Sequence, residues 1–201
     1  WKEDDHLLKR NKFIGDQYQD FYEDENIDNF MKALIANYIL EGIYFYSGFS
    51  FFYNLGRMGK MPGTVSEIRY INRDENTHLW LFRSIILEMK KENPEIFTDE
   101  NIKKYKEMLK KGVEEEISWG KYVIGDEIRG LNEKMIEDYI MYLGNFRSRN
   151  LGFGNLFEEN TEEPESMKWV SEYSDPNQIK TDFFEAKPSA YSKSSVIEDD
   201  L

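Results

Sequence analysis

Cysteine is absent from the 201 residues, and histidine occurs only at His6 and His78. Without thiols there is no disulfide, no zinc–thiolate site and no cysteine nucleophile, and secretion gains no support. An uncharged apolar run of membrane-spanning length is also lacking, and the N-terminus does not have the layout of a signal peptide. Basic residues are the minority: 26 Lys and Arg against 39 Asp and Glu leave a net charge of −13. Such a surface repels phosphate backbones and disfavours nucleic acid as a partner. No internal repeat and no strand pattern of any weight occur. The expectation is a cytoplasmic protein with neither a nucleic-acid nor a membrane partner.

What is present is helical periodicity over a chain long enough for a real core. Residues 6–22 predict an amphipathic helix with Leu7, Leu8, Phe13, Ile14, Tyr18 and Phe21 inward. One long helix is predicted from about Ile27 to Leu55, with Phe30, Leu34, Tyr38, Phe45, Phe49 and Phe52 on its apolar stripe. A turn with Gly59, Pro62 and Gly63 follows. The next helix is expected to open on a capping box, Thr64 and Glu67. Its stripe reads Ile68, Ile71, Glu75, His78, Phe82, Ile85, in steps of three and four. Helices are predicted over about 99–124 and 132–147, the second burying Ile136, Tyr139, Ile140 and Leu143. The fold class is all-α, a bundle of long helices over 1–157, with residues 158–201 an extended segment ending in a flexible tail.

Two acids and a histidine break this pattern. Glu41 falls on the apolar stripe of one helix, and Glu75 and His78 fall on that of the next. A carboxylate on such a face costs several kcal/mol unless something compensates it. Glu followed by His at i+3 puts both side chains on one face, a turn apart, where they can grip one ion. Oxygen donors with imidazole suit iron or manganese. A bundle-core dimetal site takes four Glu and two His from four helices; this chain supplies half. Such Glu–His pairs also arise by chance on surfaces, and a structural histidine is the bland alternative. His6, in a charged N-terminal run, is assigned to solvent.

These residues resemble the small, radical-generating subunit of class I ribonucleotide reductase. EGIYFYSGFSFF (41–52) is similar to the family helix bearing a ligand glutamate, RDENTH (73–78) to its ligand helix, and MPGTVSEI (61–68) to the turn between. YIMYLGNFRSRNLGF (139–153) resembles a late family helix, and NQIKTDFFEAKPSAY (177–191) the segment leading to the tail. The resemblance covers nearly this whole chain but only the C-terminal part of the family domain. It implies a ferritin-like helical bundle lacking the family's N-terminal helices. It implies Glu41, Glu75 and His78 as ligands in a dinuclear centre (Fe/Fe, Mn/Mn or Mn/Fe). Asp74 would orient a ligand histidine and join the radical-transfer chain. Phe45, Phe49 and Ile71 would line the apolar pocket of a radical, a role that ordinary core packing equally fits. Glu185 and Tyr191 would relay the radical, and Val196, Ile197 and Leu201 would dock on the large subunit. A homodimer is implied as well.

The family's first ligand Asp, its other Glu-x-x-His and its radical tyrosine have no counterpart here. The expectation is a partial chain, or one part of a split or intein-interrupted subunit, with the missing N-terminal part supplying the remaining ligands. Two other functions stay open: a related dimetal oxidase, which would lack the docking tail, and a non-catalytic module that binds the large subunit.

Overall fold

The computed structural model describes residues 2–174, and in them the chain is helical. Seven α-helices are formed among these residues: α1 Asp5–Glu23, α2 Ile27–Gly42, α3 Tyr46–Arg57, α4 Pro62–Glu92, α5 Asp99–Ile124, α6 Glu133–Asn150 and α7 Lys168–Ser174. Single 3-10 turns, Pro94–Ile96 and Glu165–Met167, precede α5 and α7. The core lies where α2, α5 and α6 meet, with Ile35, Ile39, Leu109, Ile136 and Ile140 essentially inaccessible. Each such aliphatic side chain contributes about 1.5–3 kcal/mol by leaving water. The caps of α5 and α6 follow from sequence. Thr98 Oγ1 accepts from the Asn101 N–H at 3.2 Å, and Asn132 Oδ1 from the Met135 N–H at 2.9 Å.

The long helix expected over 27–55 is two helices. Ile43 and Tyr44 both donate their N–H to Ile39 O, at 2.9 and 3.2 Å, and the Tyr46 N–H turns to Ile43 O at 3.1 Å. The ladder thereby slips, and three backbone groups lose helical partners. Side chains replace them. Arg147 Nε donates to Gly42 O at 3.2 Å, and Arg10 Nη2 to Tyr44 O at 2.7 Å. The Ser47 N–H donates to Glu116 Oε1 at 3.0 Å. Apolar periodicity is blind to this break, because buried residues continue on both sides of it (Ile39, Ile43, Tyr46, Phe49).

Helix α4 starts earlier than the capping box implies. Pro62 takes the first helical position after Met61, which adopts the left-handed conformation at φ 49°. Its packed stripe also differs. Val65, Asn72, Leu79 and Ile86 are buried, seven residues apart, whereas Ile71 is 44% exposed. The predicted stripe lies beside the packed one and is only partly covered: Ile68 and Phe82 pack against the core, whereas Ile71 and His78 stand open. At the edge of the bundle, α1 packs against α2 and α5 only through part of its apolar arc. Phe13 and Ile14 are buried, while Leu8 and Tyr18 are exposed.

Within 158–201, expected to be extended, residues 165–174 instead fold back as the 3-10 turn and α7. Met167 and Val170 are fully buried, and the Tyr173 ring stacks on Tyr53 at 5.3 Å. The Asn145 side chain steers the return, accepting from the N–H groups of Leu156 and Phe157 and donating to Glu159 O. Polar composition hid an element that needs only two or three apolar contacts.

Candidate metal centre

Glu41 lies in the last turn of α2, one residue before the break. A helix C-terminus carries partial negative charge, so the end of α2 gives this carboxylate no help. Glu75 and His78 stand a turn apart in the middle of α4. Gly42 lets the two helices meet here: a Cβ at that position would fall 2.7 Å from Leu79 Cδ2. Gly42 and Leu79 directly follow Glu41 and His78 in the chain, so this close approach brings the polar side chains together.

His78 Nδ1 is within hydrogen-bond distance of both carboxylates, 2.7 Å from Glu41 Oε2 and 3.0 Å from Glu75 Oε2. One donor atom from each residue falls within 4.8 Å of the others. The Glu41 and Glu75 side chains are 18% and 14% exposed, and that of His78 is 51% exposed. The expectation that all three point into the core is therefore corrected: the carboxylates are largely covered, and the imidazole stands at the open face. Burial, and then the neighbouring Glu41, push the Glu75 carboxyl up to about 7. Hydrogen bonds to Glu75 and Glu41 raise the His78 pKa. Two carboxylate oxygens and an imidazole nitrogen converging on one point are a hard-donor set that fits iron or manganese.

The other predicted residues are distributed around this trio. Phe49 is buried, and the Phe45 ring, although that residue is 38% exposed, lies tilted against it with centroids 6.0 Å apart. Together with Leu40, Phe52 and Ile68 they line a groove of about 340 Å³. Ile71 lies on the open face outside the lining of that groove. Asp74 is exposed and pairs with Arg73 at 3.3 Å rather than joining the trio. Glu185, Tyr191, Val196, Ile197 and Leu201 lie outside the described residues. His6, assigned to solvent, is half-buried, stacked on Tyr122 at 4.4 Å.

Sequence reading missed Glu116, Arg10 and Arg147, the polar groups that clamp the α2–α3 break. Glu116 is fully buried and paired with Arg10. Its burial pushes the carboxyl up to about 7 against the opposing pull of Arg10. A signal existed: Glu116 falls three residues after Val113 and seven after Leu109, on the stripe that α5 buries. The acidic neighbours Glu114 and Glu115 disguised it.

The family model for the ribonucleotide reductase small chain matches residues 1–164. The chain belongs to that family. It is 64% identical over 201 residues to the ribonucleoside-diphosphate reductase subunit beta of Treponema pallidum, covering all of this chain and 57% of the relative. The Halalkalibacterium halodurans subunit beta is 43% identical over 98% of this chain and 56% of its own length. Among solved structures, a ribonucleotide reductase subunit from Clostridium botulinum superposes with TM-score 0.82 at 52% identity, over 87% of this chain and 54% of that one. A putative class I ribonucleotide reductase from Bacillus halodurans gives 0.81 at 42% identity, over 86% and 61%. The fold is the ferritin-like helical fold of these small subunits, and family and donor set together support a metal centre. The chain spans a little over half the length of the relatives it matches. No described helix is long and apolar enough to cross a membrane.

Proposed function

We propose that this chain carries one half of the dinuclear metal centre of a ribonucleoside-diphosphate reductase small subunit, which generates a radical used by a large subunit to reduce ribonucleotides to deoxyribonucleotides. The convergence of Glu41, Glu75 and His78 within 4.8 Å, with the imidazole at the open face beside the exposed Ile71, carries this reading. The part of the relatives' length that this chain does not span packs on that face and brings the remaining ligands. In the assembled subunit, Glu41, Glu75 and His78 would hold the metal, the carboxylates offering negative charge to offset it and the imidazole a nitrogen donor. Iron, manganese or one of each fits these donors, and when bound the metal pair supplies one-electron chemistry with oxygen.

The chain's other residues protect and connect that centre. Phe45, Phe49 and Ile71 keep water from it once the face is covered. Asp74, still accessible on α4, orients an incoming imidazole, as acidic partners of metal-bound histidines commonly do. Glu185 and Tyr191 pass the radical onward. Val196, Ile197 and Leu201 enter an apolar groove of the large subunit, with the acidic residues between them steering encounter. The subunit works in the cytoplasm as a homodimer.

Co-expression with the segment corresponding to the rest of a relative's length tests this reading. Iron or manganese should load stoichiometrically, and Glu75→Ala should abolish loading; a variant that loads normally refutes the ligand assignment. Tyr191→Phe should keep fold and metal but stop nucleotide reduction, and normal turnover by that variant would end the relay.

A further inference from the structure

Glu41 sits against the place where the helical ladder slips between α2 and α3, and the groups that hold the slip are buried charges from distant parts of the chain. Arg147 is 7% exposed, in the last turn of α6. Its Nε holds Gly42 O at 3.2 Å, and its Nη2 donates to the Tyr46 hydroxyl at 2.8 Å. One planar guanidinium therefore ties the last residue of α2 to the first residue of α3. On the opposite side, Arg10 from α1 holds Tyr44 O, and its partner Glu116 from α5 holds the Ser47 N–H. Five of the six residues from Gly42 to Ser47 lie in the buried interior, Phe45 being the exception.

Charged groups are costly to bury, and hydrophobic side chains of similar volume would cost less here. What arginines offer instead is a fixed fork of donors that meets two acceptors in one geometry. A break stabilised in this way has one conformation, and Glu41 inherits it through a single peptide unit.

We propose that Arg147, assisted by the Arg10–Glu116 pair, is a positioning residue that fixes the Glu41 carboxylate toward Glu75 and His78. This inference rests on the metal reading above and adds the device that sets the geometry of one ligand. Arg147 touches neither the donor atoms nor the open face. It acts through the Gly42 carbonyl.

Cobalt(II) serves as the probe, titrated into the full chain and followed by its visible absorption, with backbone amide exchange measured over residues 41–48. The variant is Arg147→Lys, which keeps the charge and the aliphatic stem but not the planar fork. Leu109→Ala, a core deletion in α5 two turns from Glu116, is the control for lost stability. Arg147→Lys should bind cobalt roughly ten- to a hundredfold more weakly. Its cobalt spectrum should be altered and exchange at the break faster, while Leu109→Ala keeps wild-type affinity and spectrum. Glu116→Gln should shift the spectrum in the same direction, less strongly. If Arg147→Lys folds and binds cobalt with wild-type affinity and spectrum, the positioning role is wrong while the metal site stands. Equal weakening by Leu109→Ala would also overturn it, assigning the effect to general stability. Should the chain, alone and co-expressed with the segment that brings the remaining ligands, take up no cobalt that Glu75→Ala removes, the metal reading falls and this inference with it.

Discussion

Two carboxylate clusters flank the α2–α3 break, Glu41 one residue before it and Glu116 bonded to the Ser47 N–H just after it, and they are treated in opposite ways. Glu116 is completely buried, and the chain gives it an arginine and a backbone N–H. Glu41 and Glu75 are nearly as covered, yet they face each other across one half-exposed histidine. The first cluster is closed by the chain's own charges and builds the fold. In the second, the described residues supply two like charges and an imidazole able to carry one positive charge. Buried charge that the polypeptide answers is structural; buried charge that it gathers and leaves facing outward is arranged for a cation.

The contrast is broken most directly by truncating each acid in turn. Glu116→Ala should cost about 3–5 kcal/mol in urea unfolding, because Arg10 is left buried without its partner. Glu75→Ala should leave the metal-free chain within about 1 kcal/mol of wild type, since it removes a desolvated carboxylate beside another. Equal losses would make both clusters structural. Metal should then reverse the ranking. Manganese at a hundred times its dissociation constant should stabilise wild type by about 2.7 kcal/mol, and a chelator should remove the gain. Glu75→Ala should show no gain in the same thermal melts.

Gly42→Ala sharpens the comparison, since it drives a methyl into Leu79 where the helices meet. It should destabilise by about 1–3 kcal/mol and weaken metal uptake together; stability loss alone would uncouple the helix approach from the donors. The smallest effect is that of pH. Burial and Glu41 hold the Glu75 carboxyl at about 7, so below that value a metal must displace its proton. Affinity should rise with pH up to about 7, by at most roughly tenfold per unit per proton, and then level off on account of this group. His78, with its pKa raised by Glu75 and Glu41, adds to the slope with the same sign. Calorimetric titrations from acid to neutral pH check this, and a flat profile would mean that Glu75 is not a ligand.

Much of the fold was legible because most elements obey one rule each. The helices at 99–124 and 132–147 carry strong periodicity, clear caps and flanking breakers, and they stand almost where expected. That Glu41, Glu75 and His78 come together was legible from their being polar residues on apolar stripes. The break after Gly42 was not, because its cause is tertiary: side chains from α1, α5 and α6 take over backbone partners that local sequence assigns to the ladder. The exposure of Ile71 and His78 was hidden for a related reason. Helix α4 has two apolar stripes, and periodicity reports that a face is apolar without saying which one finds a neighbour.

Anomalous diffraction from a manganese-soaked crystal of this chain tests the central claim most directly. The account predicts a metal peak within bonding distance of Glu41, Glu75 and His78 Nδ1, lost in Glu75→Ala. Manganese seated elsewhere, with the three side chains still hydrogen-bonded to one another, would contradict it.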